Sequence, residues 1–198
     1  MAIQFGCVTR PWNDYTWEDF LAGTAGAGYD CIGTTRFGKE WIVAAEVPLE
    51  AIKRRRAEVE EAGLTPSTCW ADFPFDGGPE KAEEGLRAAI DAVAAFGAPY
   101  LLSCGAARGP HEDLFYDTMA ACCDYAEDQG VMLTLKPHGG ITCSGADLAY
   151  ALERIDHDNF GIFYDPGNIV HYKGLDPVNE LLVIADAVVG MCVKDSLG

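Results

Sequence analysis

Short apolar runs alternate along the chain with longer stretches whose apolar residues recur at every third or fourth position. The short runs cover residues 3–9, 31–37, 64–70, 100–104, 131–136, 160–164 and 188–193. Turn-forming residues bound each run and polar alternation is weak, the pattern of strands buried on both faces. Between them the spacing predicts six helices. Thr16 and Asp19 form a capping-box pair at the start of the first, which stops near Gly28. The second covers 48–62, with Leu49, Ile52 and Val59 on one face and Gly63 as its stop. Pro79 opens a third carrying Leu86, Ile90 and Val93, which ends at Gly97. The fourth runs over about 112–128 and closes at Gly130. Ser144 and Asp147 cap a fifth through Leu148, Leu152 and Ile155, and Asp176-Pro177 opens a sixth to near Ala187.

This is a repeating βα unit with a period of about 31 residues. Two architectures accommodate such a repeat. A doubly wound sheet carries a Gly-rich phosphate loop after its first strand, whereas Cys7-Val8-Thr9-Arg10-Pro11-Trp12 stands there and no G-x-G-x-x-G or Walker pattern occurs elsewhere. The α/β expectation is therefore a (β/α)8 TIM-barrel type, read as one domain over residues 1–198. It is incomplete in this chain, with about seven strands and six helices, since a full barrel runs to ~250 residues. A barrel without its last strand leaves two open edges, so poor solubility or a homodimer through the open barrel edge is expected.

Charge narrows the partners. The chain has 31 Asp and Glu against 14 Lys and Arg, a formal charge of −17. That argues against nucleic acid, which is held by counterion release onto basic side chains, and against an anionic membrane surface. No apolar run approaches the ~20 residues that span a bilayer. The start Met1-Ala2-Ile3-Gln4 has no targeting pattern, so a cytoplasmic location is expected. Eight cysteines show no C-x-x-C pair, and all but Cys192 read as buried, reduced thiols.

In a barrel, chemistry collects at the C-terminal ends of the strands. The fifth strand ends in Lys136-Pro137-His138-Gly139-Gly140, the sixth in Asp165-Pro166-Gly167-Asn168 with His171 beyond, and the seventh in Cys192-Val193-Lys194-Asp195. Alternation on a strand puts Lys136 with His138, and Cys192 with Lys194. A lysine ending an apolar buried strand needs a partner, and Asp165 on the next strand is the natural one. Earlier strand ends offer Arg10 with Trp12, Arg36, Trp70 with Asp72, and Ser103 with Cys104. The plainer readings are that 165–168 is only a turn, that His138 is a loop histidine bonded to backbone, and that the basic run 53–56 is a solvated helix face. His111 and His157 lie at helix edges without obvious partners.

The segments 133–140, 164–168 and 193–195 resemble the xylose-isomerase-like barrel superfamily, which includes sugar-phosphate isomerases and epimerases, ketose 3-epimerases and metal-dependent apurinic-site endonucleases. The resemblance implies a divalent cation (Mn, Mg or Zn) held by Glu, Asp, His and Glu from the last four strands. Asp165 matches the Asp, Lys136 stands at the first Glu and Cys192 at the His. His138 matches a substrate-contacting position, Asn168 one that supports it. An ammonium in place of a carboxylate reverses the local charge, so a metal held by Asp165, Cys192 and His138 departs from the usual site.

The resemblance implies an isomerase or epimerase acting on a sugar or sugar phosphate by proton transfer next to a carbonyl. Lys136, His138 and Asp165 would be catalytic, and Asn168, Lys194, Trp12 and Arg10 substrate-binding. The alternatives are a non-catalytic sugar-binding or assembly protein of the same fold, and a Schiff-base enzyme using Lys136. An endonuclease fits the charge worst.

Overall fold

A computed structural model describes residues 3–194. In chain order its elements are β1 (Gly6–Val8), α1 (Trp17–Gly26), β2 (Cys31–Thr34), β3 (Arg36–Phe37), β4 (Glu40–Trp41), α2 (Leu49–Glu61), β5 (Thr65–Trp70), α3 (Pro79–Phe96) and β6 (Tyr100–Ser103). There follow α4 (Glu112–Asp128), β7 (Met132–Leu135), α5 (Gly145–Ile155), β8 (Phe160–Tyr164), α6 (Pro166–Lys173), α7 (Pro177–Leu182) and β9 (Val188–Met191). The chain divides into two compact units, one of residues up to 72 with 87–101 and 129–131, the other of 73–86, 102–128 and 132 onward.

In the first unit β1, β2 and β5 lie side by side and parallel, followed by the start of β6. The Thr16 hydroxyl accepts the Asp19 N–H at 3.1 Å and the Asp19 carboxylate accepts the Thr16 N–H, so the capping box that starts α1 is formed in both directions. Gly63, with φ +76°, turns the chain out of α2 where an L side chain would be strained. Phe20, Ile32, Ile52 and Val59 are fully buried between these strands and helices. Burial of each contributes roughly 1.5–3 kcal/mol.

The second unit continues from the end of β6 through β7, β8 and β9, again parallel. Neighbours in space follow neighbours in the chain, as in a barrel; a doubly wound sheet would reverse its order. Phe115, Met119, Leu133, Leu135, Ile162 and Ile169 form its core.

Three elements differ from the expected pattern. The run 31–37 is not one strand: β2 ends at Thr34, Thr35 N–H turns to the Thr9 hydroxyl, and the chain folds into the antiparallel β3–β4 hairpin. The segment after β8 is a helix rather than a turn, because Asp165 caps it and Pro166 supplies the φ of its first residue. The helix expected up to Ala187 ends at Leu182 and gives way to a 3-10 turn at Ala185–Ala187. The described residues thus hold seven helices, not six. Asp195, part of the third resembling segment, lies outside the described residues. None of the eight cysteines is in a disulfide and six are buried; Cys7, expected to be buried, is only partly so, because it lies on the terminal strand β1. Among the described residues no helix is long and apolar enough to cross a membrane.

Candidate active site

Three parallel strands deliver the second unit's polar residues to the same ends. β7 stops at Leu135, which pairs with Ile162, and β8 stops at Tyr164, which pairs with Met191, the last residue of β9. The next residues, Lys136, Asp165 and Cys192, therefore follow one another across the strand ends. The ladder persists one step further: Lys136 N–H donates to Ser103 O at 2.8 Å and Cys192 N–H to Tyr164 O at 2.7 Å.

Asp165 is the centre of what forms there. Its side chain is wholly buried, and its Oδ2 stands 2.5 Å from Lys136 Nζ and 2.9 Å from Lys194 Nζ. Neither ammonium meets Oδ2 at a good hydrogen-bond angle, so charge holds this oxygen. Oδ1 accepts the Asn168 N–H at 2.9 Å. Asn168 ties the rest together: its Oδ1 accepts from Lys194 Nζ at 2.5 Å, and its Nδ2 donates to Pro137 O at 2.7 Å.

Burial pushes the Asp165 carboxyl up, but the ammoniums of Lys136 and Lys194, with the Asn168 N–H, outweigh it and hold the group below its ordinary range. The Cys192 thiol beside this cluster is pushed up by burial to about 11, the two ammoniums opposing that rise and Asp165 adding to it. At neutral pH the cluster holds two cations, one carboxylate and a neutral thiol.

His138 lies two residues beyond Lys136. Its Nε2 is 2.8 Å from the Tyr172 hydroxyl, and its backbone N–H donates to the Thr142 hydroxyl at 3.0 Å. Tyr172, on α6, carried no sequence signal as long as 165–168 read as a loop. Arg10 and Trp12 belong to the first unit, in a 3-10 turn at Arg10–Trp12. Arg10 is exposed there, while Trp12 packs edge-on against Tyr15 and Phe20 and covers Gly23. The histidines that lacked partners in the sequence have them: His111 stacks on Phe75, and His157 contacts Asp124.

The model of the xylose isomerase-like TIM barrel family matches residues 21–198. The chain belongs to that family. Solved structures agree on the fold. The probable 3-DHS dehydratase AsbF from Bacillus anthracis superposes with a TM-score of 0.75 at 14% identity, over 96% of this chain and 72% of that one. D-allulose 3-epimerase from Methylomonas sp., solved with D-allulose, gives 0.75 at 20% identity, over 96% and 71%. The xylose isomerase domain protein from Planctomyces limnophilus gives 0.70 at 16% identity, over 95% and 72%. No curated protein sequence matches the chain.

The divalent cation implied for this family does not fit the residues present. Both Asp165 oxygens are engaged, one by a backbone N–H and the other by two ammoniums, and Cys192 is a neutral thiol. Asp165, Cys192 and His138 do not form a ligand cluster; the one close group of three among the described residues is Asp124, Glu127 and His157. That triad lies before β8, at the opposite end of the strand from Asp165. There His157 Nδ1 accepts the Asn159 N–H at 2.9 Å, which assigns the ring proton to Nε2, facing Asp124 at 3.0 Å. A cation would need the Nε2 lone pair, and this tautomer does not offer it.

Proposed function

We propose that this chain is a sugar isomerase or epimerase-type protein in which the Lys136 ammonium takes over the charge-stabilising role of a metal. Removing a proton next to a carbonyl leaves an enediolate, whose negative charge must be met by fixed positive groups in a dry site. Lys136 and Lys194 supply such charge. Asp165 fixes them in place, and His138, oriented by Tyr172, is the candidate base. The observation that carries this reading is the 2.5 Å approach of Lys136 Nζ to Asp165 Oδ2. The test is proton exchange at the carbon next to the carbonyl of a keto-sugar, followed by NMR in heavy water with a chelator present. Exchange that survives chelation is expected; neither sugar binding nor exchange would remove the catalytic reading.

A second reading, a non-catalytic sugar-binding protein of the same fold, draws on a different feature. Asp165 spends both oxygens inside the cluster, which leaves no unpaired carboxylate there among the described residues to act as base. Stabilisation by a sugar in thermal unfolding, without exchange, would favour it. The Schiff-base alternative is the weakest, because Lys136 is committed to an ion pair; borohydride with a keto-sugar should leave it unmodified.

A further inference from the structure

We propose that Lys136 and Lys194 form a subsite for one oxyanion, the carboxylate or phosphate of the carbonyl compound that binds here. The chemistry around that carbonyl rests on the reading above, but the anion subsite stands on its own count of charges and hydrogens. Two ammoniums face one carboxylate oxygen, Asp165 Oδ2, and no other carboxylate pairs with either among the described residues. One positive charge is left over, in a protein whose formal charge is −17.

The hydrogen count points the same way. The Lys136 side chain is only 10% exposed and its ammonium carries three N–H groups. Asp165 Oδ2 is its one ion-pair partner among the described residues, met at a poor hydrogen-bond angle. Unspent N–H groups on a buried cation are costly, because nothing replaces the water they gave up. Lys194 uses two contacts, Asp165 and Asn168, while its side chain remains 43% exposed. It therefore forms the open side of the cluster, through which a ligand reaches the enclosed ammonium. A sugar hydroxyl would satisfy an N–H and leave the charge unbalanced; a carboxylate or phosphate oxygen answers both. Lysine acts on such groups as a point charge with rotatable donors, so either anion satisfies the pair.

The experiment is calorimetric titration of the 198-residue protein with inorganic phosphate and, separately, with oxalate, at constant ionic strength. One-to-one binding of either anion is expected, and the better of the two identifies the source as phosphate or carboxylate. Lys194→Gln, which leaves the Lys136–Asp165 pair intact, should weaken binding by about tenfold or more, the worth of one charge-assisted contact. Lys81→Gln, outside the cluster, should leave it unchanged. Wild-type protein that takes up neither anion, or a Lys194→Gln variant that binds as wild type does, would overturn the subsite. Anion binding without keto-sugar exchange would sink only the catalytic reading, and exchange without anion binding only this one.

Discussion

The aliphatic stem of Lys194 crosses Gly167 so closely that a Cβ there would lie 3.0 Å from its Cγ and Cε. The absence of that Cβ lets the side chain reach back from beyond β9 to Asp165 and Asn168. Gly167→Ala therefore asks the lysine stem to yield by a few tenths of an ångström, and its contacts at Asp165 and Asn168 limit how far it can. Expected is a loss of about 1–3 kcal/mol in urea unfolding, as for other overpacked sites. Phosphate binding should weaken with it. An alanine variant that matches wild type in both measurements would show that the stem moves freely.

Asp165 makes stability depend on pH in a defined direction. Its folded pKa is depressed, so its contribution is complete above the unfolded value, near 3.9, and is lost as pH falls through the lower folded value. Asp165→Asn removes the counter-charge from two ammoniums and should cost about 3–5 kcal/mol at pH 7. The gap between wild type and variant should narrow as pH drops below about 4. Urea midpoints for both proteins from pH 7 to pH 3 check this. A gap that stays constant would mean that the carboxylate's charge does not matter.

How much of this was legible beforehand depended on the kind of signal. The Lys136–Asp165 pair followed from two adjacent strands ending in a lysine and an aspartate, because parallel strands in chain order must bring those ends together. The helix α6 did not follow, since Asp, Pro, Gly and Asn serve a turn and a helix start equally well. Missing that helix also hid Tyr172, whose meeting with His138 requires the chain to wind on past Asp165. The reach of Lys194 was hidden for another reason. It depends on a long side chain passing a glycine on a different element, and no local pattern encodes that. The β3–β4 hairpin escaped because a bent apolar run reads the same as a straight one.

Cys192 borders the cluster, yet its chemistry should be quiet. Burial pushes its pKa to about 11, so at pH 8 the thiolate fraction is on the order of one in a thousand. Iodoacetamide labelling resolved by peptide mass spectrometry should be slow at this position at pH 8 and should accelerate as pH approaches 11. Fast labelling at neutral pH would mean that the two ammoniums outweigh burial and that the thiolate is a usable nucleophile.

The second unit also exposes apolar side chains at two places. α7 buries none of its residues, and Val178, Leu182 and Val183 are exposed together with Met191 and Val193 at the end of β9. Water contact with so much aliphatic surface is unfavourable, at ~25 cal/mol for each Å² that a partner would cover. β9 is also a terminal strand of the sheet among the described residues, so no described strand pairs with its outer edge. A second copy of the chain can answer both needs, and a dimer is the expected state at micromolar concentration. Light scattering behind size exclusion measures it directly. Because Leu182 is 71% exposed, Leu182→Asp should leave folding intact and shift the protein toward monomer. Wild-type protein that stays monomeric over the whole concentration range would contradict dimerisation.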